Sequence, residues 1–559
     1  MDEIPEITNS KKKIILDKLL KNLDHPNKID VSDDVYNDTL IDNFVSKLPI
    51  LEGGKILIDK IIHNPINDIN KLIERQNAYI DEDIDFNFLK EYENDVLWTF
   101  VLNKEIRDDL SIKLIYPSSY IISYINYFGP ILDFYHIYKI FIIPFLSILY
   151  PLTLIYGPYY YVKKYFNMSF KDYMKILISC FKSLLKPSGN LKTDLIKFIT
   201  VAFYIGIYIF NMYQTFDMAY LVYKTKEKLH KKMDGLIYFI KESTRIINEV
   251  PEQLWKPYYI FEKDIEYNNL NKLKLENTMT DLYKIWKDDD IKDQISKLLK
   301  IIYTIDVVKS ISKLIYENKW SLVKFVDTET KIWDMKNPIL DNNQISNPIN
   351  LSKNIIVTGP NAAGKTTYIK SITANIILAQ TFGITYSSKS EIVINDTIKT
   401  FMRIVDILGN RSYFEAEAEY CSNMINNAKE LVKNNKRGFF ILDEPMHSTP
   451  PIEGMSTAFA VLEYLGNLPG INIIVTTHYH KLIDLEKLYP NNFINLSVDA
   501  FKNKDNITFT FPYKIKRGFS KQCIAIELLE KQKFPESIIK SAIEIKNKIC
   551  EEIYSSNNQ

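Results

Sequence analysis

Cysteine is scarce in this chain: four in 559 residues, Cys180, Cys421, Cys523 and Cys550, far apart and with no C-x-x-C pair. A zinc site or a disulfide framework is not supported by that spacing. It fits an intracellular, reducing compartment, cytoplasm or nucleus, with membrane attachment left open. Net charge is nearly absent as well, 70 Lys and Arg against 69 Asp and Glu for a formal +1, so attraction to an anionic partner has to be local. The opening MDEIPEITNSKKK has no apolar core of the kind a signal peptide needs. Strict heptads and internal repeats are missing too. What remains is a globular composition, 46% hydrophobic and 25% charged, on a chain long enough for two to four domains.

Residues 1–40 are polar and read as a loosely attached arm with one short amphipathic run, KKIILDKLLKNL. Residues 41–319 read as mostly helical. Over 41–101 apolar residues recur at three- and four-residue spacing, and Asn64-Pro65 followed by Asp68 marks a turn and a helix start. Two stretches then carry no charge: 141–162, FIIPFLSILYPLTLIYGPYYYV, and 198–216, FITVAFYIGIYIFNMYQTF. Each is as long as a membrane-crossing helix, which needs roughly 20 residues, and Pro144, Pro151 and Pro158 are better tolerated there than in a soluble helix. The loop between them holds eight lysines against two aspartates, and placing it outside runs against the positive-inside tendency. Buried helices or a shallow apolar hairpin therefore stand beside two true spans. The basic excess suits a phosphate backbone or anionic lipid heads equally, and a plain solvated face as well. Charged periodic helix returns over 217–315, and from about Trp320 short apolar runs broken by Asn, Pro and Gly mark a new domain.

That domain, 320–520, carries the chemistry. NIIVTGPNAAGKTTYIK is an apolar strand, a glycine turn and a helix, and Gly359, Gly364, Lys365 and Thr366 fit G-x-x-x-x-G-K-[ST]. In such a turn Gly359, Pro360, Asn361, Ala362, Ala363, Gly364, Lys365, Thr366 and Thr367 surround the phosphates of ATP. Lys365 reaches the β/γ-phosphates, and the Thr366 hydroxyl ligates Mg2+. In RGFFILDEP, Asp443 ends a strand, placed to hold the Mg2+, and Glu444 beside it can take a proton from the attacking water. NIIVTTHYHKL is a further apolar strand ending at His478, which can sense or polarise the hydrolytic site. Lys365, Glu444 and His478 are the candidate catalytic residues.

G-P-N-x-x-G-K-T, then L-D-E, then T-H-Y-H-x-L resembles the MutS family of ATPases, within the ABC-type class of α/β P-loop proteins. LAQTFGI looks like the family's L-A-Q segment and places Gln380 at the nucleotide. NRSYFEAEAEY is similar to its signature, giving Ser412, Phe414 and Glu417, while NPINDINKLIERQNA is similar to part of its core domain and MKNPIL to the segment opening its ATPase domain. The helical tail 521–559 looks like its dimerisation end. The resemblance implies two ATPase domains meeting head to tail, Ser412 of one chain completing the other's site, in a homodimer or heterodimer with a MutS-like chain. It also implies DNA as partner, gripped by helical arms through phosphates, with Lys163, Lys164, Lys171 and Lys175 as contacts. Three departures stand out: little chain precedes the core to carry a mismatch-reading domain, prolines stiffen PMHSTPPIEG after Glu444, and 141–216 is apolar where the family has lever helices. A membrane-associated ABC-type ATPase held by an apolar hairpin is the alternative reading. An ABC transporter subunit is disfavoured by the missing L-S-G-G-Q signature.

Overall fold

A computed structural model describes residues 7–21, 26–79, 81, 84–100, 110–119, 121–258, 275–276, 278–341, 343–402, 413–502, 509–520, 522, 526 and 534–556. The chain divides into two compact units, each assembled from three separate segments: Met1–Leu19, Phe88–Arg245 and Ile265–Leu298 in the first, Leu20–Asn87, Ile246–Asp264 and Leu299–Gln559 in the second.

The first unit is helical. A helix over Gly129–Ile137 widens into a π-turn at Tyr138–Ile142 and continues as α1 (Ile143–Phe166). Pro144 accounts for the widening, because it lacks an N–H and its ring crowds the carbonyl four residues back. Asn167, in a left-handed conformation at φ 50°, ends α1. Ser169 then caps α2 (Phe170–Leu185) by accepting from the Asp172 N–H at 3.2 Å. The long helix α3 (Leu191–Glu249) runs back antiparallel to α1. Its register is set by Tyr208, whose hydroxyl reaches the Ser147 carbonyl at 3.3 Å, and by the ion pair Lys226–Asp133 at 3.0 Å. Only the later part of α3 joins a core, through Leu229, Met233, Leu236 and Phe239. Near it lie Trp98 and Trp286, with ring centroids 5.5 Å apart, and Tyr116 packed edge-on to Trp286.

The second unit holds a seven-stranded sheet. In chain order its strands are β1 (Asp30–Val31), β2 (Asn354–Thr358), β3 (Thr397–Phe401), β4 (Gly438–Asp443), β5 (Ile471–Thr477), β6 (Phe493–Val498) and β7 (Ile515–Arg517). They lie in the order β1-β3-β4-β5-β2-β6-β7, parallel except for β7. Parallel strands are covered on both faces, which is why NIIVT and FFIL read as unbroken apolar runs; every residue of β2 is buried. Helices α4 (Lys365–Phe382), α5 (Tyr413–Lys433) and α6 (Pro451–Gly466) belong to the same unit. Met424 and Ala428 of α5 and Leu462 and Leu465 of α6 share one core with Phe440, Leu442, Ile473 and Val475 of the strands. A second, five-stranded sheet is built from Ser321–Phe325, Lys331–Met335, Asn347–Asn350, Ile384–Thr385 and Lys389–Ile392.

The N-terminal arm is not loose over its later part, and that expectation is corrected. Residues 30–31 pair with Thr397 and Ile398, and the Asp38 carboxylate accepts from the Thr400 hydroxyl at 2.7 Å. Val35 and Tyr36 are buried. Composition misled because a polar segment needs only a few apolar anchors to dock. The helix start after Asn64-Pro65 is where the spacing puts it: the Asp68 carboxylate accepts from the Lys71 N–H at 3.1 Å. From the helix it opens (Ile69–Asn77), Arg75 is fully buried and donates to the Thr381 carbonyl at 2.5 Å, while Gln76 donates to Val323 and Gly383. A guanidinium therefore satisfies a carbonyl in the last turn of α4, where the helix dipole is negative.

Candidate functional site

The strand register assembles the site. Thr477 of β5 pairs with Thr358 of β2, and Thr476 pairs with Asp443 of β4, so three strands end at one level. Gly359, Glu444 and His478, the residues that follow, stand together at the carboxyl edge of the sheet, where ligands of open α/β sheets bind. Between β2 and α4 the chain turns tightly. A Cβ on Gly359 would lie 2.4 Å from the Val498 carbonyl oxygen, so nothing larger than glycine fits. Gly364 takes φ 94° as the N-cap of α4, and Ala362 takes φ 65°. The N–H groups opening α4 thus face the turn with no side-chain cap, an arrangement suited to phosphate oxygens.

Lys365 is buried in this turn, and its ammonium donates to the carbonyls of Gly359 at 3.0 Å and Pro360 at 3.3 Å. Burial lowers its pKa, and the neighbouring Glu444 and Asp443 carboxylates oppose that shift. Thr366 donates its hydroxyl to Asp443 Oδ2 at 2.9 Å, and Thr476 donates to Asp443 Oδ1. Glu444 Oε1 lies 2.6 Å from His478 Nε2 and 3.8 Å from Lys365 Nζ. The shorter contact assigns the Nε2 proton to the bond with Glu444. That hydrogen bond is the main cause holding the Glu444 carboxyl below its ordinary range, with the charges of His478, Lys365 and His447 adding to it against burial. Glu444 is therefore ionised at neutral pH and able to accept a proton. It also takes φ 51°, a strained setting for a side chain of its size.

Gly359 to Thr367, Asp443, Glu444 and His478 are thus brought together as the motifs indicate. Gln380 is not. It lies near the far end of α4, wholly buried, with its amide donating to the Asn395 carbonyl at 2.8 Å and accepting from the Asn395 N–H at 3.0 Å. Spacing along the sequence could not show that this part of α4 turns toward β3 instead of the phosphates. Ser412 falls outside the described residues, as does most of 521–533. Glu417, from the same signature stretch, is buried and accepts from the Ser448 hydroxyl at 2.5 Å, which ties α5 to the loop after Glu444.

Sequence reasoning missed the far wall. A cavity of ≈ 680 Å³ opens over the turn, lined by Pro360–Ala362 and Gly364–Tyr368 on one side and by Met335, Leu340, Ile345 and Tyr513 on the other. Its size and mixed polar and apolar lining suit a nucleotide-sized ligand. Asn347 fixes this wall by donating to the Tyr513 carbonyl at 2.8 Å and accepting from the Ile515 N–H at 2.9 Å. Only the Asn-rich texture around 341–350 hinted at such a loop.

The architecture and the site define a mixed α/β domain with a phosphate-type glycine turn, a paired Thr and Asp, and a Glu–His couple at its sheet edge. Comparison with known proteins makes this specific. Residues 355–550 match the family model described as MutS domain V. The chain is 31% identical over 281 residues to the DNA mismatch repair protein MutS of Persephonella marina, covering 47% of this chain and 31% of that protein. To the DNA mismatch repair protein MutS of Finegoldia magna it is 30% identical over 339 residues, 56% of this chain and 38% of that one. The chain spans about a third of the length of these curated relatives. Over these segments the chain is similar to the MutS family.

Proposed function

We propose that the chain is a MutS-type ATPase whose ATP sites, completed across a dimer, control helical arms around DNA. The observation that carries this reading is the convergence of Lys365, the Thr366–Asp443 pair and the Glu444–His478 couple beneath one cavity. The residues fit ATP and Mg2+. Gly359 and Gly364 shape a cradle that a Cβ at Gly359 would fill, the buried Lys365 ammonium is ringed by carbonyls, and Thr366 and Asp443 offer the hard oxygen donors Mg2+ prefers. Bound there, Mg2+ would neutralise phosphate charge. Lys365 and the α4 N–H groups orient the phosphates, Glu444 takes the proton of the attacking water, and His478 holds Glu444 in place and ionised.

DNA as the partner rests on the relatives' names and on the resemblance. The partner chain, homodimeric or heterodimeric, rests on the signature stretch around Ser412 and on the tail. An intracellular, reducing compartment rests on four scattered cysteines. The test is hydrolysis by the purified dimer with and without duplex DNA, beside Glu444→Gln. We expect the variant to bind ATP normally and to lose about 10²–10⁴ in turnover. Full turnover in that variant would remove Glu444 from the mechanism, and a DNA-indifferent rate at low salt would remove DNA as the partner.

A further inference from the structure

Outside the nucleotide site, the most unusual feature of the molecule is an apolar surface turned outward. The most apolar windows of the Gly129–Phe166 and Leu191–Glu249 helices have 6% and 0% of their residues buried. A core helix of a soluble protein would have most of that window covered, and water-exposed apolar patches of this extent are rare. We propose that α1, α2 and the first half of α3 form a membrane hairpin whose occupant is a lipid bilayer.

Four observations converge on that occupant. The uncharged runs lie side by side: Tyr208 against Ser147 and Lys226 against Asp133 set the antiparallel register, which brings Phe141 level with the turn of Phe216 and Val162 within a turn of Phe198. They therefore form one band. At 1.5 Å per residue, 141–162 measures about 33 Å and 198–216 about 28 Å, against roughly 30 Å of bilayer hydrocarbon.

The four Ser and Thr hydroxyls inside the band are satisfied within their own helices, as a hydrocarbon solvent demands. Ser147 donates to the Pro144 carbonyl, Thr153 to Tyr150, Thr200 to Ile196 and Thr215 to Asn211, each at 2.7–2.8 Å. Pro151 has no N–H to give the Ser147 carbonyl, and the Tyr208 hydroxyl donates to that oxygen instead.

Aromatic side chains crowd the band's edges: Tyr159, Tyr160 and Tyr161 before Lys163, and Tyr213 and Phe216 before Asp217. Finally, α2 is amphipathic and folds back at the distal edge. Phe170 stacks on Tyr156 at 5.2 Å and Tyr173 meets Tyr159 at 5.3 Å. Lys171, Lys175 and Lys182 recur along α2 at helical spacing, on the pattern of an interfacial helix facing anionic headgroups, so on this assignment Lys163, Lys164, Lys171 and Lys175 meet lipid and not the DNA that the resemblance implied. The loop's basic charge runs against the positive-inside tendency, which biases insertion without barring it.

The test is cell-free synthesis of the full chain with sealed phosphatidylcholine–phosphatidylglycerol vesicles. We expect the protein to float with the vesicles after a carbonate wash. A membrane-impermeant maleimide, mapped by mass spectrometry, should reach the exposed Cys180 on α2 only after detergent lysis. The double variant Leu152→Lys, Ile205→Lys, with both charges mid-band, should cut the floated fraction at least about tenfold while keeping its helical circular dichroism in detergent. Wild-type protein left in the soluble fraction would overturn the proposal, including a soluble dimer that covers the band with a second copy. So would flotation of the double variant, labelling of Cys180 in intact vesicles, or displacement from vesicles by duplex DNA. None of these readouts depends on ATP hydrolysis.

Discussion

β2 and α1 are both apolar, yet they sit in opposite surroundings. Ile355, Ile356 and Val357 are enclosed by neighbouring strands and helices, and the charged groups of the domain converge at the strand ends. In α1 and the first half of α3 the apolar side chains face out, and the charges begin where the band stops. Apolar content alone therefore does not say which solvent a segment meets. The pattern of charge around it does: strand runs of five to seven residues end at charged functional residues, while the helical runs continue for about twenty with no charge.

The sharpest way to break this contrast is one lysine in each region. Ile356→Lys buries an unpaired charge in the sheet and should cost more than about 4 kcal/mol, seen as loss of folded protein. Ile205→Lys, at an exposed position of α3, should leave the melting temperature of detergent-solubilised protein nearly unchanged. Equal loss in both would mean that the helical band is a covered core. Next in size, Arg75→Leu removes the buried guanidinium beneath α4 and orphans the Thr381 carbonyl. It should lower stability by roughly 2–4 kcal/mol in urea titration. A wild-type midpoint would show that Arg75 only fills space.

Acid probes the polar side of the comparison. Because His478 and Lys365 depress the Glu444 pKa, the stabilising contribution of Glu444 is fully present above the ordinary glutamate range and is lost as pH falls through the lowered folded value. Thermal melts of wild type and Glu444→Gln should converge as pH drops below that range, and parallel curves would mean the couple contributes nothing. The smallest effect belongs to the band: Tyr208→Phe leaves the Ser147 carbonyl without its donor and should cost about 1 kcal/mol in detergent. No change would show that the contact is incidental.

The glycine turn, Lys365 and the strand-end Asp, Glu and His were legible in the sequence because their chemistry is local: each lies within a few residues of an apolar strand, and a parallel sheet aligns strand ends. Gln380 was misplaced because its role depends on which way the far end of α4 faces. Met335 and Tyr513, joined across the cavity from opposite ends of the domain, carry no shared motif. Likewise, a segment as polar as 30–39 gives no sign that it continues a sheet formed more than 360 residues later. The two uncharged runs were plain from the start, but their alignment into one band depends on the contact of Tyr208 with α1.

The buried Arg75 bears on modularity. Its helix, the Asp30–Val31 strand and the Asp38–Thr400 bond all belong to the same compact unit as the glycine turn, though they come from the first 80 residues. Residues 320–559 alone would leave β3 as an open sheet edge and the last turn of α4 with bare carbonyls. The nucleotide domain is therefore not a cassette that can be cut out or transplanted at the change of texture near Trp320. In the order of synthesis, Asp30–Val31 and Arg75 are made long before β3 and α4, the partners they hold in the folded chain.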